Sequence, residues 1–194
     1  MIYIYMDGRL GNQFFRYAFA QQLKKYNPQE TIIYNFDNIY RQHVKEGDGQ
    51  ENSLKWFNTK GTEHQDVVNY AVWKMFNRFY PRSGSFSKRN KYERKCLPIM
   101  KFFGMYFLNL GYEKFPLKKP WWVKNLIVNG AFECEHYFDG IGDELKKAFM
   151  PKKKSLQENN DLLSVIQNSN SVAISIRRGD FVEDSRVKGT YFVC

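Results

Sequence analysis

The chain has 194 residues, 43% of them hydrophobic and 18% aromatic, with a mean hydropathy of −0.61 and a formal net charge of +10. That composition is too apolar for a disordered chain and too polar for a polytopic membrane protein, and no apolar run reaches the length of a bilayer span. Cys96, Cys134 and Cys194 are widely spaced with no C-x-x-C, and His43, His64 and His136 have no metal-ligand spacing; reduced thiols in a cytosolic protein are expected, not a disulfide framework or a zinc site.

Residues 2–6, Ile-Tyr-Ile-Tyr-Met, read as a strand that follows Met1 with no basic-then-apolar leader. Residues 7–13, Asp-Gly-Arg-Leu-Gly-Asn-Gln, form a glycine-punctuated turn, and residues 14–25 predict a helix with Phe15, Phe19 and Leu23 on one face. The turn has Gly-x-x-Gly where a dinucleotide fold needs Gly-x-Gly-x-x-Gly, so a nicotinamide cofactor is not expected. A helix N-terminus behind the turn supplies free N–H groups, and the carboxamides of Asn12 and Gln13 suit hydroxyl-rich sugars. Spacing alone leaves two readings equal: Gly11, Asn12 and Gln13 face a ligand, or the glycines only shape the turn while Asn12 caps the helix.

Residues 31–35 predict a second strand after the Asn27-Pro28 break, which completes a parallel βαβ unit. Residues 41–62 are polar and read as a surface excursion. Residues 67–79 show helical spacing through Val68, Val72, Met75 and Phe79, and residues 82–95 form a basic connection. Between residues 74 and 124 there are 13 Lys and Arg against 2 Asp and Glu, so this segment carries the whole net positive charge. Composition alone then suggests nucleic acid, an anionic membrane surface or an acidic substrate. Within it the aromatic run 97–112 has two readings. It is buried core, or Phe102, Phe103, Tyr106 and Phe107, with Lys118-Lys119-Pro120-Trp121-Trp122, form a patch that rests on anionic lipid.

Residues 126–130 predict a further strand, with Glu133 and Glu135 just beyond its end; a carboxylate there could take a proton from a hydroxyl, although helix capping or solvation is the plainer reading of either. Residues 140–149 read as a helix with acidic start and basic end. Residues 151–170 are the linker with a short helix at 161–167. They lead to Val172-Ala173-Ile174-Ser175-Ile176, a run suited to a strand buried on both faces, which breaks into Arg177-Arg178-Gly179-Asp180. Two guanidiniums followed by a glycine can grip phosphate oxygens, although solvated arginines at a strand end are the plainer reading of those four residues alone.

The two ends of the chain taken together carry a specific resemblance. Gly-Arg-Leu-Gly-Asn-Gln-Phe-Phe-Arg-Tyr-Ala-Phe-Ala from Gly8, Gly-Ala-Phe-Glu-Cys-Glu-His-Tyr-Phe from Gly130, and Ile-Arg-Arg-Gly-Asp-Phe from Ile176 resemble the bacterial α-1,2-fucosyltransferase family, in patches from Met1 to Cys194. The resemblance implies an α/β chain of GT-B-type architecture, with a Rossmann-like N-terminal domain over residues 1–150, a basic aromatic insertion at 74–124, and the beginning of a nucleotide-sugar-binding domain at 171–194. It implies transfer of L-fucose from GDP-fucose to the 2-hydroxyl of a galactoside, with inversion and no obligatory metal or other cofactor. The acceptor could be lipid-linked in surface polysaccharide synthesis, on the cytoplasmic face of the inner membrane. In the family the Gly11-Asn12-Gln13 element lies at the cleft between the domains. Arg178 is then expected at the diphosphate, with Arg177 second and Gly179, Asp180 and Ser175 around them, while the catalytic base stays unassigned. Ser175 stands where the family commonly has histidine, which removes any positive charge from that position. The donor domain is expected to be cut short after Cys194, so this chain alone is expected to be inactive. A basic module binding nucleic acid or a membrane surface is the alternative, with no specific nucleic acid expected.

Overall fold

The computed structural model describes residues 1–37, 39–40, 51–64, 98–108, 112, 114–172 and 174. Two compact units emerge, Met1–Lys152 and Lys153–Cys194. The first contains β1 (Ile2–Tyr5), α1 (Leu10–Tyr26), β2 (Ile32–Asn35), β3 (Thr62–His64), β4 (Met105–Leu108), β5 (Leu126–Gly130) and α2 (Gly142–Ala148). The second contains α3 (Lys153–Gln157) and α4 (Asn160–Gln167).

The five strands form one parallel sheet in the order β3-β2-β1-β5-β4. Strand β1 lies at its centre, with Ile2 opposite Ile32 on one side and Leu126 on the other. The period of two in these strands sorts the core into two faces. Ile2, Ile4, Ile32, Tyr34, Tyr106, Leu108, Leu126 and Val128 pack with Tyr17, Phe19 and Leu23 of α1, while Tyr3, Ile33, Met105, Phe107 and Ile127 form the cluster on the other face. Burial on both faces is why these strands read as unbroken apolar runs.

Phe19 of α1 is the hub of the first cluster. Its ring stacks on Phe132 at 4.1 Å and 10°, and meets Phe115 and Tyr137 edge-on at 5.1 and 5.5 Å. Phe132 adopts a left-handed backbone, φ 56°, unusual for a residue with a bulky side chain. Its ring folds back over Gly130, where an added Cβ would lie 2.7 Å from Phe132 Cζ and 2.8 Å from the Leu108 carbonyl oxygen.

Several sequence expectations need correction. The polar stretch 41–62 ends in an unforeseen edge strand, β3, whose Thr-Glu-His carries no apolar signal. The aromatic run 97–112 divides: Tyr106 and Phe107 are buried in β4, whereas Phe102 and Phe103 are exposed. The linker holds a helical turn, α3. Val172 and Ile174 are 85% and 79% exposed and lie in no strand. The remainder of that expected strand, the expected helix at 67–79 and the basic connection at 82–95 lie outside the described residues.

Gly130→Ala is expected to lower unfolding free energy by about 1–3 kcal/mol through overpacking. Gly142→Ala, where an added Cβ meets nothing within 4 Å, should be neutral or stabilising by up to about 1 kcal/mol. Equal effects in urea titrations would contradict the Phe132–Gly130 packing. A second expectation concerns pH. Burial alone would raise the Glu30 pKa, but hydrogen bonds from the Met1 ammonium and Lys119 outweigh it and hold the carboxyl below its usual value. A depressed folded-state pKa gives stability that is present above the unfolded value and lost as pH falls through the folded one. Glu30→Gln should therefore be less stable than the parent at neutral pH, with the difference disappearing in acid.

Candidate active site at the carboxyl end of the central strand

The chain runs outward from β1 through β2 to β3, then places β4 and β5 on the other flank of β1. The gap between β1 and β5 is thus the point where strand order reverses, and ligands of open α/β sheets bind at the carboxyl ends beside such a point. The segments that emerge there are Asp7-Gly8-Arg9 after β1 and Ala131-Phe132-Glu133 after β5. Two motifs singled out in the sequence are therefore brought to one edge of the sheet.

Gly8 turns the chain into α1 with φ 73°, and an added Cβ would lie 2.4 Å from Asn12 Nδ2. The Asn12 side chain folds back over this glycine. Its backbone lies inside the first turn of α1, and the cap position belongs to Arg9, with no side-chain hydrogen bond to the helix amides and no acidic residue in the first turn. The capping reading of Asn12 is thereby replaced. Asn12 and Gly11 are exposed, and nothing lies within 4 Å of where a Gly11 Cβ would stand. The fold itself imposes no steric need for glycine at position 11. A ligand approaching the helix backbone would.

Gln13 is fully buried, and both ends of its amide are engaged. Nε2 donates to the Gly8 and Glu51 carbonyls at 2.9 and 2.8 Å, and Oε1 accepts from Ser53 N at 2.9 Å. It supports the cleft by tying the β1–α1 turn to the segment at 51–53.

Arg16, one turn further along α1, was not singled out in the sequence. Its guanidinium is buried beneath the mouth, where Nη1 donates to the Tyr5 carbonyl at 2.6 Å and to Asn129 Oδ1 at 3.1 Å, while Nε has no hydrogen-bond partner. Burial pushes its pKa down, and the carboxylates of Asp7 and Glu133 act in the opposite direction. The group stays cationic throughout the ordinary pH range. Asp7 Oδ1 also accepts from Gly8 N at 2.9 Å, whereas Glu133 is exposed. The sequence signals for Arg16 were its place one helical turn past Asn12 and its presence in the motif that runs from Gly8.

The mouth thus offers free helix amides, one carboxamide, an underlying cation and two carboxylates. That set can hold hydroxyl groups and accept a proton. Among the described residues no group of three His, Cys, Asp or Glu side chains could hold a metal ion. Ser175, Arg177, Arg178, Gly179 and Asp180 lie outside the described residues.

Comparison with family models matches glycosyl transferase family 11 over residues 1–194. No curated protein and no solved structure matches the chain.

Gln13→Ala should cost about 1–3 kcal/mol, because it removes three hydrogen bonds from half-buried backbone groups at both ends of the amide. Asn12→Ala should stay within about 0.5 kcal/mol of the parent. Chemical unfolding of the two variants checks the contrast, and an equal loss in both would show Asn12 to be structural.

Proposed function

The chain belongs to glycosyl transferase family 11, and from that premise we propose that it serves transfer of L-fucose from GDP-fucose to the 2-hydroxyl of a galactoside. Family membership makes the protein a fucosyltransferase acting with a nucleotide-sugar donor and a glycan acceptor, and favours that activity over a nucleic-acid-binding module. The observation that carries the finer reading is the exposed Gly11–Asn12 pair at the reversal point of a parallel sheet, beside two carboxylates.

In this reading the galactoside hydroxyl attacks the anomeric carbon of fucose from the face opposite GDP. The new C–O bond forms as the bond to the diphosphate oxygen breaks, so the configuration inverts. The hydroxyl proton passes to a carboxylate. Glu133 is the better base of the two at the mouth, because it is exposed while Asp7 already accepts from Gly8 N. Asn12 orients the acceptor hydroxyls. The departing GDP carries the bonding electron pair as negative charge, and Arg178, with Arg177 beside it, would stabilise that charge where it develops. No obligatory metal is assigned to this step. Residence in the cytoplasm against the inner membrane face, with a lipid-linked acceptor, completes the proposal.

Turnover of GDP-fucose with a soluble galactoside acceptor tests it, assayed on this chain extended by the nucleotide-sugar-binding domain of a family member, because the chain alone is expected to be inactive. Asn12→Ala and Gly11→Ala should lower turnover with melting temperatures nearly unchanged, and Glu133→Gln should lower turnover by about 10²–10⁴, the contribution typical of a general base. Arg178→Ala should reduce turnover by about 10²–10³, the loss typical of one charge-stabilising donor. An active Arg178→Ala variant of the extended protein would overturn that assignment, and GDP-fucose left intact by the extended parent would overturn the reaction.

A further inference from the structure

The entry edge of the sheet, opposite the candidate site, carries a different chemistry. Because β4 and β5 are adjacent and parallel, the segments that lead into them arrive side by side. Residues 98–103 bring Ile99, Phe102 and Phe103, and residues 118–125 bring Trp121 and Trp122. All five side chains are exposed, from 53% for Trp122 to 90% for Trp121. They are not scattered surface residues. Trp122 Nε1 donates to the Phe102 carbonyl at 3.1 Å, the Phe102 ring contacts Phe103 and Trp122, and Trp121 meets Trp122 edge-on at 5.8 Å.

The backbone fixes this arrangement. Gly104, with φ 78°, reverses the chain between exposed Phe103 and buried Met105, and an added Cβ would lie 2.3 Å from Val123 Cγ1 and 2.9 Å from the Asn125 carbonyl oxygen. On the neighbouring segment Val123 N bonds to the Pro120 carbonyl, closing the turn that carries the two tryptophans. Val123 is buried while Trp121 and Trp122 point outward.

Charge identifies the partner. Lys118 and Lys124 flank the rings and are exposed, Lys101 is half-buried, and Lys119 is held by the Val123 carbonyl and Glu30. From residue 98 to residue 125 the sequence has five lysines and a single acidic residue, Glu113. Indole and phenyl rings collected at one edge with cations around them match the boundary of a bilayer, where tryptophan settles at headgroup depth and lysine meets anionic lipid. A fixed cluster also loses little side-chain freedom on docking.

We propose that Phe102, Phe103, Trp121 and Trp122 form a wedge that inserts into the headgroup region of an anionic membrane, with Lys118 and Lys124 seated on its phosphates. Among the described residues no helix is long and apolar enough to cross a membrane, so this is contact from one side. The wedge precedes β4 and β5, whereas Gly11 and Asn12 follow β1. In a parallel sheet these are opposite edges, so docking leaves the mouth of the candidate site uncovered. The wedge deepens the membrane reading given under Proposed function, and its residues owe nothing to the sugar chemistry.

The test is co-sedimentation of the whole protein with phosphatidylcholine vesicles, with and without phosphatidylglycerol, alongside tryptophan quenching by brominated lipid. Binding to the anionic vesicles, quenching at headgroup depth and release by salt are expected. Phe103→Ser with Trp121→Ser should weaken binding at least about tenfold at an unchanged melting temperature. Lys118→Glu with Lys124→Glu, remote from the core, should abolish the preference for anionic lipid and serves as the second variant. Absence of vesicle binding, or undiminished binding by both double variants, would overturn the wedge. So would concentration-dependent self-association that replaces lipid binding and is lost in Phe103→Ser/Trp121→Ser. Transfer to a soluble galactoside, measured with these substitutions placed in the extended protein, reports separately on the sugar chemistry and should remain intact.

Discussion

The pairing of β1 on both of its edges is the constraint from which the first unit follows. A four-residue strand with Ile2 and Ile4 on one face and Tyr3 on the other presents apolar groups on both sides, so its backbone amides are removed from water and must find partners laterally. Strands β2 and β5 supply them, and both run parallel to β1. Parallel pairing makes every strand enter at one edge and leave at the other. The two edges can then take on separate chemistries. Turn amides and carboxylates gather where the strands leave, and aromatic side chains and lysines gather where β4 and β5 enter.

The exit edge is held open by polar groups that the core would ordinarily reject. A buried guanidinium carries a desolvation penalty of several kcal/mol, so Arg16 is tolerated only because a carbonyl, an amide oxygen and two nearby carboxylates surround it. Gln13, with no exposed surface, plays the neutral counterpart by bridging the Gly8 and Glu51 carbonyls and the Ser53 amide. These two side chains fix the floor of the mouth. Gly11 and Asn12 are thereby left exposed at its surface.

The strands nearest the centre were legible because their signal is local: Ile-Tyr-Ile-Tyr, Ile-Ile-Tyr and Leu-Ile-Val are short β-branched or aromatic runs bounded by turn residues. Helix α1 was expected from residue 14 and begins at Leu10, because the first turn runs through Gly11 and Asn12, poor helix formers that the tertiary setting accepts. Strand β3 carried no signal, since an edge strand of three residues gains its place from pairing with β2 rather than from its own composition. The aromatic run 97–112 could not be divided by periodicity. What separates Phe103 from Tyr106 is the reversal at Gly104, where Val123 and Asn125, about twenty residues away in sequence, leave no room for a side chain. Arg16 escaped notice for a related reason. A single arginine in an amphipathic helix reads as a solvated face until Tyr5 and Asn129 are placed against it.

The sheet order also sets a timetable for synthesis. Strand β1 can pair with β2 once residue 35 is free of the ribosome, but its other edge waits for β5, whose first residue is Leu126. At translation speeds of a few to some twenty residues per second, that interval lasts roughly 5–20 s. During it the nascent chain exposes an unpaired edge of alternating isoleucine and tyrosine, a template for unwanted strand addition. The same long-range pairing predicts slow refolding, because distant segments must meet before either gains much stability. A chaperone that shields the first forty residues would act on the very strand that later becomes the centre of the sheet.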